Sequence, residues 1–148
     1  MTTLKDKLND AMKAAMKARD DLRLSAVRMV RAAIKNREID TRTELDDQAV
    51  TDVISTLVKQ RRESIRMYRD GNRPELAEKE ELELAVLLEF LPTQLSLAEI
   101  DTLVSQVIQG LDAHGAKEMG RVMKAVTPLI AGKADGKAVS DAVRRQLA

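Results

Sequence analysis

Apolar residues recur at intervals of three and four positions along almost the whole chain, and this is the period of an α-helix. The first such segment contains Leu4, Leu8 and Met12. Strands favour alternating aromatic and β-branched residues, but Tyr68 and Phe90 are the only two aromatic residues of the chain. The pattern therefore predicts an all-α fold.

Start and stop signals divide the chain into seven predicted helices. Thr3 with Asp6 and Ser96 with Glu99 have the spacing of a capping box, which opens the first and fifth helices. Gly71 is expected to end the third helix in the left-handed conformation, and His114 with Gly115 to close the fifth. A flexible-backbone segment, AGKADGKA, separates the sixth and seventh helices.

Pro92 marks the predicted domain boundary. A proline ring disfavours helical geometry at the preceding residue, so the fourth helix is expected to end at Leu91. This predicts an N-terminal four-helix, bundle-like domain over residues 1–91 and a C-terminal three-helix domain over residues 92–148.

Charge is unevenly distributed although the net charge is only +1. Residues 1–73 carry a balance of +5, residues 74–91 a balance of −5, and residues 92–148 a balance of +1. The net charge of −5 over residues 74–91 matches the net charge of +5 over residues 1–73. The basic residues that line one face of the second and third predicted helices therefore have two interpretations. They are either a phosphate-contacting surface or a solvated face balanced by the fourth helix. The residues concerned are Arg28, Arg31, Lys35, Lys59, Arg62, Arg66 and Arg69.

Arg61 differs from those residues because it falls on the apolar side of the third helix. A guanidinium in such a position needs a partner. We predict that the partner is a carboxylate of the fourth helix, Glu80 or Glu83, and that its role is structural.

The sequence carries no signature of a cofactor, a metal site or a catalytic constellation. Cysteine is absent and His114 is the only histidine, so thiolate and zinc chemistry are not indicated. The N-terminal MTTLKDKLND does not resemble a signal peptide, and no apolar run is long enough to cross a bilayer. We therefore expect a cytoplasmic protein with no membrane partner.

Seven basic residues and a glycine-containing loop characterise the C-terminal segment. The loop around Gly132 and Gly136 either lets its backbone approach a phosphate or only joins two helices. Binders of single-stranded RNA stack bases on aromatic rings, of which this chain has only two. If the chain binds nucleic acid, we expect it to recognise the backbone and shape of a folded RNA.

Several segments together resemble the YqeY-like family, in order and over nearly the whole chain. They are KQRRES (59–64), GNRPELAEKEELE (71–83), FLPTQLS (90–96), MGRVMK (119–124) and GKADGKAVS (132–140). In that family the C-terminal part is similar to the tail domain of the B subunit of tRNA-dependent amidotransferases, which contacts the tRNA elbow. The resemblance implies tRNA binding at Gly120, Lys124, Gly132, Lys133 and Gly136.

The amidotransferase subunit also has a catalytic domain, for which this chain has no room. The expected function is thus a non-catalytic, tRNA-binding accessory protein, and any label as a carbon–nitrogen ligase would come from homology alone, without the chemistry. Two alternatives stay open. The chain could assist an amidotransferase reaction by binding the amidotransferase or an aminoacyl-tRNA synthetase, or it could be a helical protein-interaction module that binds no RNA. A free-standing enzyme is the weakest alternative.

Overall fold

The computed structural model describes residues 2–148 and confirms the all-α prediction. The described residues form seven α-helices and no strand. Their bounds are α1 Leu4–Ala18, α2 Asp21–Thr41, α3 Asp47–Asp70, α4 Pro74–Leu88, α5 Leu97–Leu111, α6 Met119–Ile130 and α7 Gly136–Leu147, with a short 3₁₀ turn at Ala116–Glu118 before α6. None of these helices is both long and apolar enough to span a bilayer.

The chain divides into two compact units, the first ending at Pro92 and the second covering Thr93–Ala148. In the first unit, one apolar core is built from α1–α4. Its largest fully buried side chains are Leu8, Val27, Val30, Val50, Ile54 and Leu87.

The second unit has a separate core made by α5, α6 and α7. Its buried residues recur at helical spacing, as predicted for the inward faces of these helices. They are Ile100, Val104, Ala113, Val122, Val126, Ile130, Val139, Ala142, Val143 and Leu147.

Both predicted capping boxes are confirmed. The Thr3 hydroxyl accepts the backbone N–H of Asp6 at 3.1 Å, and the Asp6 carboxylate accepts the backbone N–H of Thr3 at 3.2 Å. Ser96 and Glu99 form the same reciprocal pair at the start of α5. Each box satisfies two backbone donors that the first helical turn leaves without partners.

The third helix ends as predicted, with Gly71 as its C-cap, but Gly71 does not have the predicted left-handed conformation. The predicted end of the fifth helix at Gly115 is wrong, because α5 ends at Leu111. Gly71 has φ −83°, and the left-handed residue after α3 is Asn72, with φ 59°. The backbone N–H of Arg73 then bonds the Tyr68 carbonyl at 2.7 Å, which completes a Schellman motif without glycine in the left-handed position.

Asp112 plays the same part after α5. Its φ is 51°, and the next backbone N–H, that of Ala113, bonds the Ile108 carbonyl at 3.1 Å. The fourth helix ends at Leu88 instead of Leu91, because the following residues tighten into i→i+3 turns. Asn and Asp adopt left-handed geometry more readily than other non-glycine residues. This explains why Asn72 and Asp112 take the left-handed position in which glycine was expected.

Candidate nucleic-acid interface

Gly120 and Lys124 lie together on the outer face of α6. The buried residues Val122, Val126 and Ile130 define the inner face, and a rotation of 100° per residue places Gly120 and Lys124 on the opposite side. Both are exposed. A Cβ added to Gly120 would meet no atom within 4 Å, so packing does not require a glycine there.

Gly132 and Lys133 lie in the loop between α6 and α7. Two hydrogen bonds to the backbone carbonyls of this loop hold it against the segment that precedes α5. The Gln94 side-chain amide donates to the Gly132 carbonyl at 2.7 Å, and the Leu95 backbone N–H donates to the Lys133 carbonyl at 2.8 Å. Gly132 has φ 73°, a conformation that favours glycine. The left-handed backbone at this position therefore explains the glycine without any bound ligand.

Gly136 is the first residue of α7 and is exposed. Like Gly120, it leaves open space where a Cβ would stand. The Asp135 carboxylate caps this helix by accepting the backbone N–H of Lys137 at 3.3 Å. The Asp135 carboxylate already occupies the N-terminus of α7 and repels other anions. Lysine side chains, and not the backbone N–H groups of this helix end, are therefore the groups available to a phosphate near the loop.

The three arginines of the C-terminal unit all form ion pairs within that unit. Arg121 binds Glu118 at 2.9 Å and also donates to the Leu111 carbonyl at 2.9 Å. Arg144 binds Asp141 at 3.1 Å, and Arg145 binds Asp101 of α5.

The four lysines of this unit differ from its arginines. Lys117, Lys124, Lys133 and Lys137 are exposed, and none has a carboxylate within ion-pair distance among residues 2–148. Two of them, Lys124 and Lys133, are residues that the sequence predicted to contact RNA. Sequence reasoning selected Lys124 and Lys133 through the family resemblance but did not separate the lysines from the arginines. Two of the arginine ion pairs join residues three positions apart, and only the pair of Arg145 with Asp101 joins two α-helices.

In the N-terminal unit the acidic helix α4 neutralises part of the basic excess. Arg61 is held by both predicted partners, Glu80 and Glu83, so that prediction is confirmed. The other two ion pairs of this helix region join Arg69 to Glu81 and Arg23 to Glu89. Four of the six glutamates of residues 74–91 are thus in ion pairs.

His114 does not take part in any cluster that resembles a catalytic site. Its side chain is 83% exposed, and its Nε2 lies 2.9 Å from the Asp112 carboxylate. Among the described residues, no group of three or more His, Cys, Asp or Glu side chains could hold a metal ion.

A bundle-like helical unit followed by a three-helix unit with exposed lysines is the architecture that the described residues define. The sequence matches the family described as Yqey-like protein over residues 5–147. The chain therefore belongs to the YqeY-like family, as the resemblance of its motifs indicated.

The chain is similar to fungal proteins named "Altered inheritance of mitochondria protein 41, mitochondrial". It is 41% identical to the protein of Lachancea thermotolerans over 108 residues, which are 70% of this chain and 57% of the relative. It is 36% identical to that of Eremothecium gossypii over 147 residues, which are 95% of this chain and 79% of the relative. The Vanderwaltozyma polyspora protein is 40% identical over 108 residues, 70% of this chain and 58% of the relative.

These relatives contradict the expectation of a cytoplasmic protein, because their names describe them as mitochondrial. The expectation was based on the absence of a signal peptide and of a membrane-spanning run, and neither absence identifies a compartment. The chain spans 57% of the first of these relatives and 58% of the third.

Proposed function

We propose that this protein is a non-catalytic tRNA-binding accessory protein whose C-terminal unit contacts the phosphates of folded RNA. The observation that carries the proposal is the set of four exposed lysines, Lys117, Lys124, Lys133 and Lys137, in a unit whose arginines are all in ion pairs. Phosphate contacts by lysine release counterions and supply most of the sequence-independent affinity for nucleic acid.

Two further features of the chain support recognition of RNA shape. Gly120 and Gly136 are exposed glycines in helical positions where packing leaves room for a side chain. Both glycines lie in the first turn of a helix, and the absence of a side chain there lets the backbone approach a large partner closely. The near absence of aromatic residues favours contact with the backbone over base stacking.

Charge reversal of two of these lysines tests the proposal. We expect Lys124→Glu combined with Lys133→Glu to weaken binding of total tRNA by roughly tenfold or more, because two phosphate contacts become repulsive. The measurement is a filter-binding titration of the full chain at low salt.

The matched control is Lys13→Glu with Lys17→Glu, which makes the same change in net charge on the exposed face of α1. A loss of affinity that is equal in both double variants would reflect net charge alone and would contradict the proposed location.

A helical protein-interaction module is the second candidate, and exposed apolar residues of the N-terminal unit favour it. Leu82 of α4 is 58% exposed, Leu76 of α4 is 38% exposed, and Met67 of α3 is 68% exposed. Leu76 and Leu82 lie six residues apart and so point about 120° away from each other on the helix. Because single exposed apolar residues are common, these positions support this candidate less strongly than the lysines support RNA binding.

A further inference from the structure

The N-terminal unit contains an open cleft between α1 and α2, with a volume of about 500 Å³. Leu8, Ala32 and Ile34 supply its aliphatic part. This volume is in the range of small-molecule sites, about 300–1,000 Å³. The sequence named three cations of this cleft as part of a possible phosphate-contacting surface. It did not predict the cleft itself, because the walls come from two different helices.

Three cations of α2 line the cleft as one stripe. Arg28, Arg31 and Lys35 are spaced i, i+3 and i+7, so successive residues are separated by about 4.5 Å and about 6 Å along the helix axis. All three are exposed, and none has an ion-pair partner among the described residues. One guanidinium nitrogen of Arg31 lies 2.9 Å from the Met12 sulfur, which directs the side chain toward α1 and leaves further N–H donors available.

Glu38 is the only acidic residue among the described residues that line the cleft, and its charge is already compensated. Its carboxylate pairs with Lys5 of α1 and also accepts the backbone N–H of Leu45 at 2.9 Å. The hydrogen bond from Lys5 and that from the Leu45 backbone hold the pKa of Glu38 below its ordinary value of 4.5. The described lining residues therefore include four cations and one carboxylate, a net charge of +3 at neutral pH.

We propose that this cleft binds a run of neighbouring phosphate groups, with Arg28, Arg31 and Lys35 as the contacting residues. Guanidinium groups bind phosphate oxygens in a bidentate manner, and lysine adds a point charge. Cations at intervals of a few ångströms suit several phosphates in a row better than a single one. No aromatic ring is found among the described lining residues, so the phosphates and not a base carry the recognition.

The same chemistry could come from an RNA backbone or from a free polyphosphate. The inference concerns a site in the N-terminal unit, separate from the lysines of the C-terminal unit, and holds independently of the function proposed above. Its test uses the full chain at low salt with two probes, a mixed-sequence RNA and tripolyphosphate, each followed by isothermal titration calorimetry.

We expect Arg28→Ala combined with Lys35→Ala to weaken binding of at least one probe by roughly tenfold, since two phosphate contacts are lost. The control, Lys13→Ala with Lys17→Ala, also removes two exposed cations but lies outside the cleft, and should change affinity by less than about twofold. Circular dichroism checks that both double variants keep their helices.

An effect on RNA alone identifies an RNA backbone as the ligand, whereas an effect on tripolyphosphate identifies a free polyphosphate. The inference is overturned if neither probe binds the wild-type chain, or if the cleft variant binds both probes as the control does. The Lys124→Glu, Lys133→Glu variant separates the two proposals. RNA binding that is lost in that variant and kept in the cleft variant supports the tRNA function and excludes RNA as the ligand of the cleft. Tripolyphosphate binding that is lost in the cleft variant, without any RNA binding by the wild-type chain, supports the cleft and contradicts the tRNA function.

Discussion

Replacing Leu87 with alanine is expected to lower the free energy of unfolding of the N-terminal unit by about 3 kcal/mol. Leu87 is fully buried in the core that α1–α4 share. The substitution removes apolar contacts and leaves a cavity that the surrounding helices fill only in part. In a unit of this size, each kcal/mol lowers Tm by about 4–8 °C, so thermal denaturation followed by circular dichroism will detect the change.

The matched control is Leu82→Ala in the same helix. Leu82 is 58% exposed, so we expect its removal to change the free energy of unfolding by less than about 0.5 kcal/mol. Equal destabilisation by the two substitutions would contradict the assignment of the buried face of α4.

Replacing Arg61 with alanine is expected to lower the free energy of unfolding by about 2 kcal/mol. The Arg61 side chain is 22% exposed, and its partners Glu80 and Glu83 are 16% and 12% exposed. Removing the guanidinium leaves two half-buried carboxylates close together without a compensating charge, and that costs more than the ion pairs contribute. Urea denaturation of the variant measures the loss.

A triple variant tests whether the unpaired charges cause this loss. We expect Arg61→Met with Glu80→Gln and Glu83→Gln to recover stability to within about 1 kcal/mol of the wild type, because no buried charge then lacks a partner. Arg66→Ala is the control, since Arg66 is an exposed residue of α3. If Arg61→Ala behaves like this control, Arg61 has no role in joining α3 to α4.

The features that the sequence predicted correctly depend on local spacing. The capping boxes at Thr3 and Ser96 require residues only three positions apart. The pairing of Arg61 with α4 followed from helical periodicity, because a guanidinium on the apolar side of one helix meets the acidic helix that follows it. The information for the capping boxes lies within one helical turn, and that for the Arg61 pairing lies within two consecutive helices.

The features that the sequence did not predict depend on contacts between distant parts of the chain. Arg145 is in an ion pair because α7 packs beside α5, and no local pattern distinguishes it from Lys137. The cleft lined by Arg28 likewise exists only because α1 packs against α2. The left-handed residue after α3 and the end of α5 were misplaced because Asn72 and Asp112 adopt the conformation that glycine was expected to provide.

We propose that exposed lysines of the C-terminal unit bind folded RNA through its phosphates. The most direct measurement is a filter-binding titration of the wild-type chain with total tRNA at about 50 mM and about 200 mM salt. Four lysine contacts predict that affinity falls by roughly 50- to 150-fold between these conditions. Affinity that is the same at both salt concentrations, or no binding at the lower one, would contradict the claim.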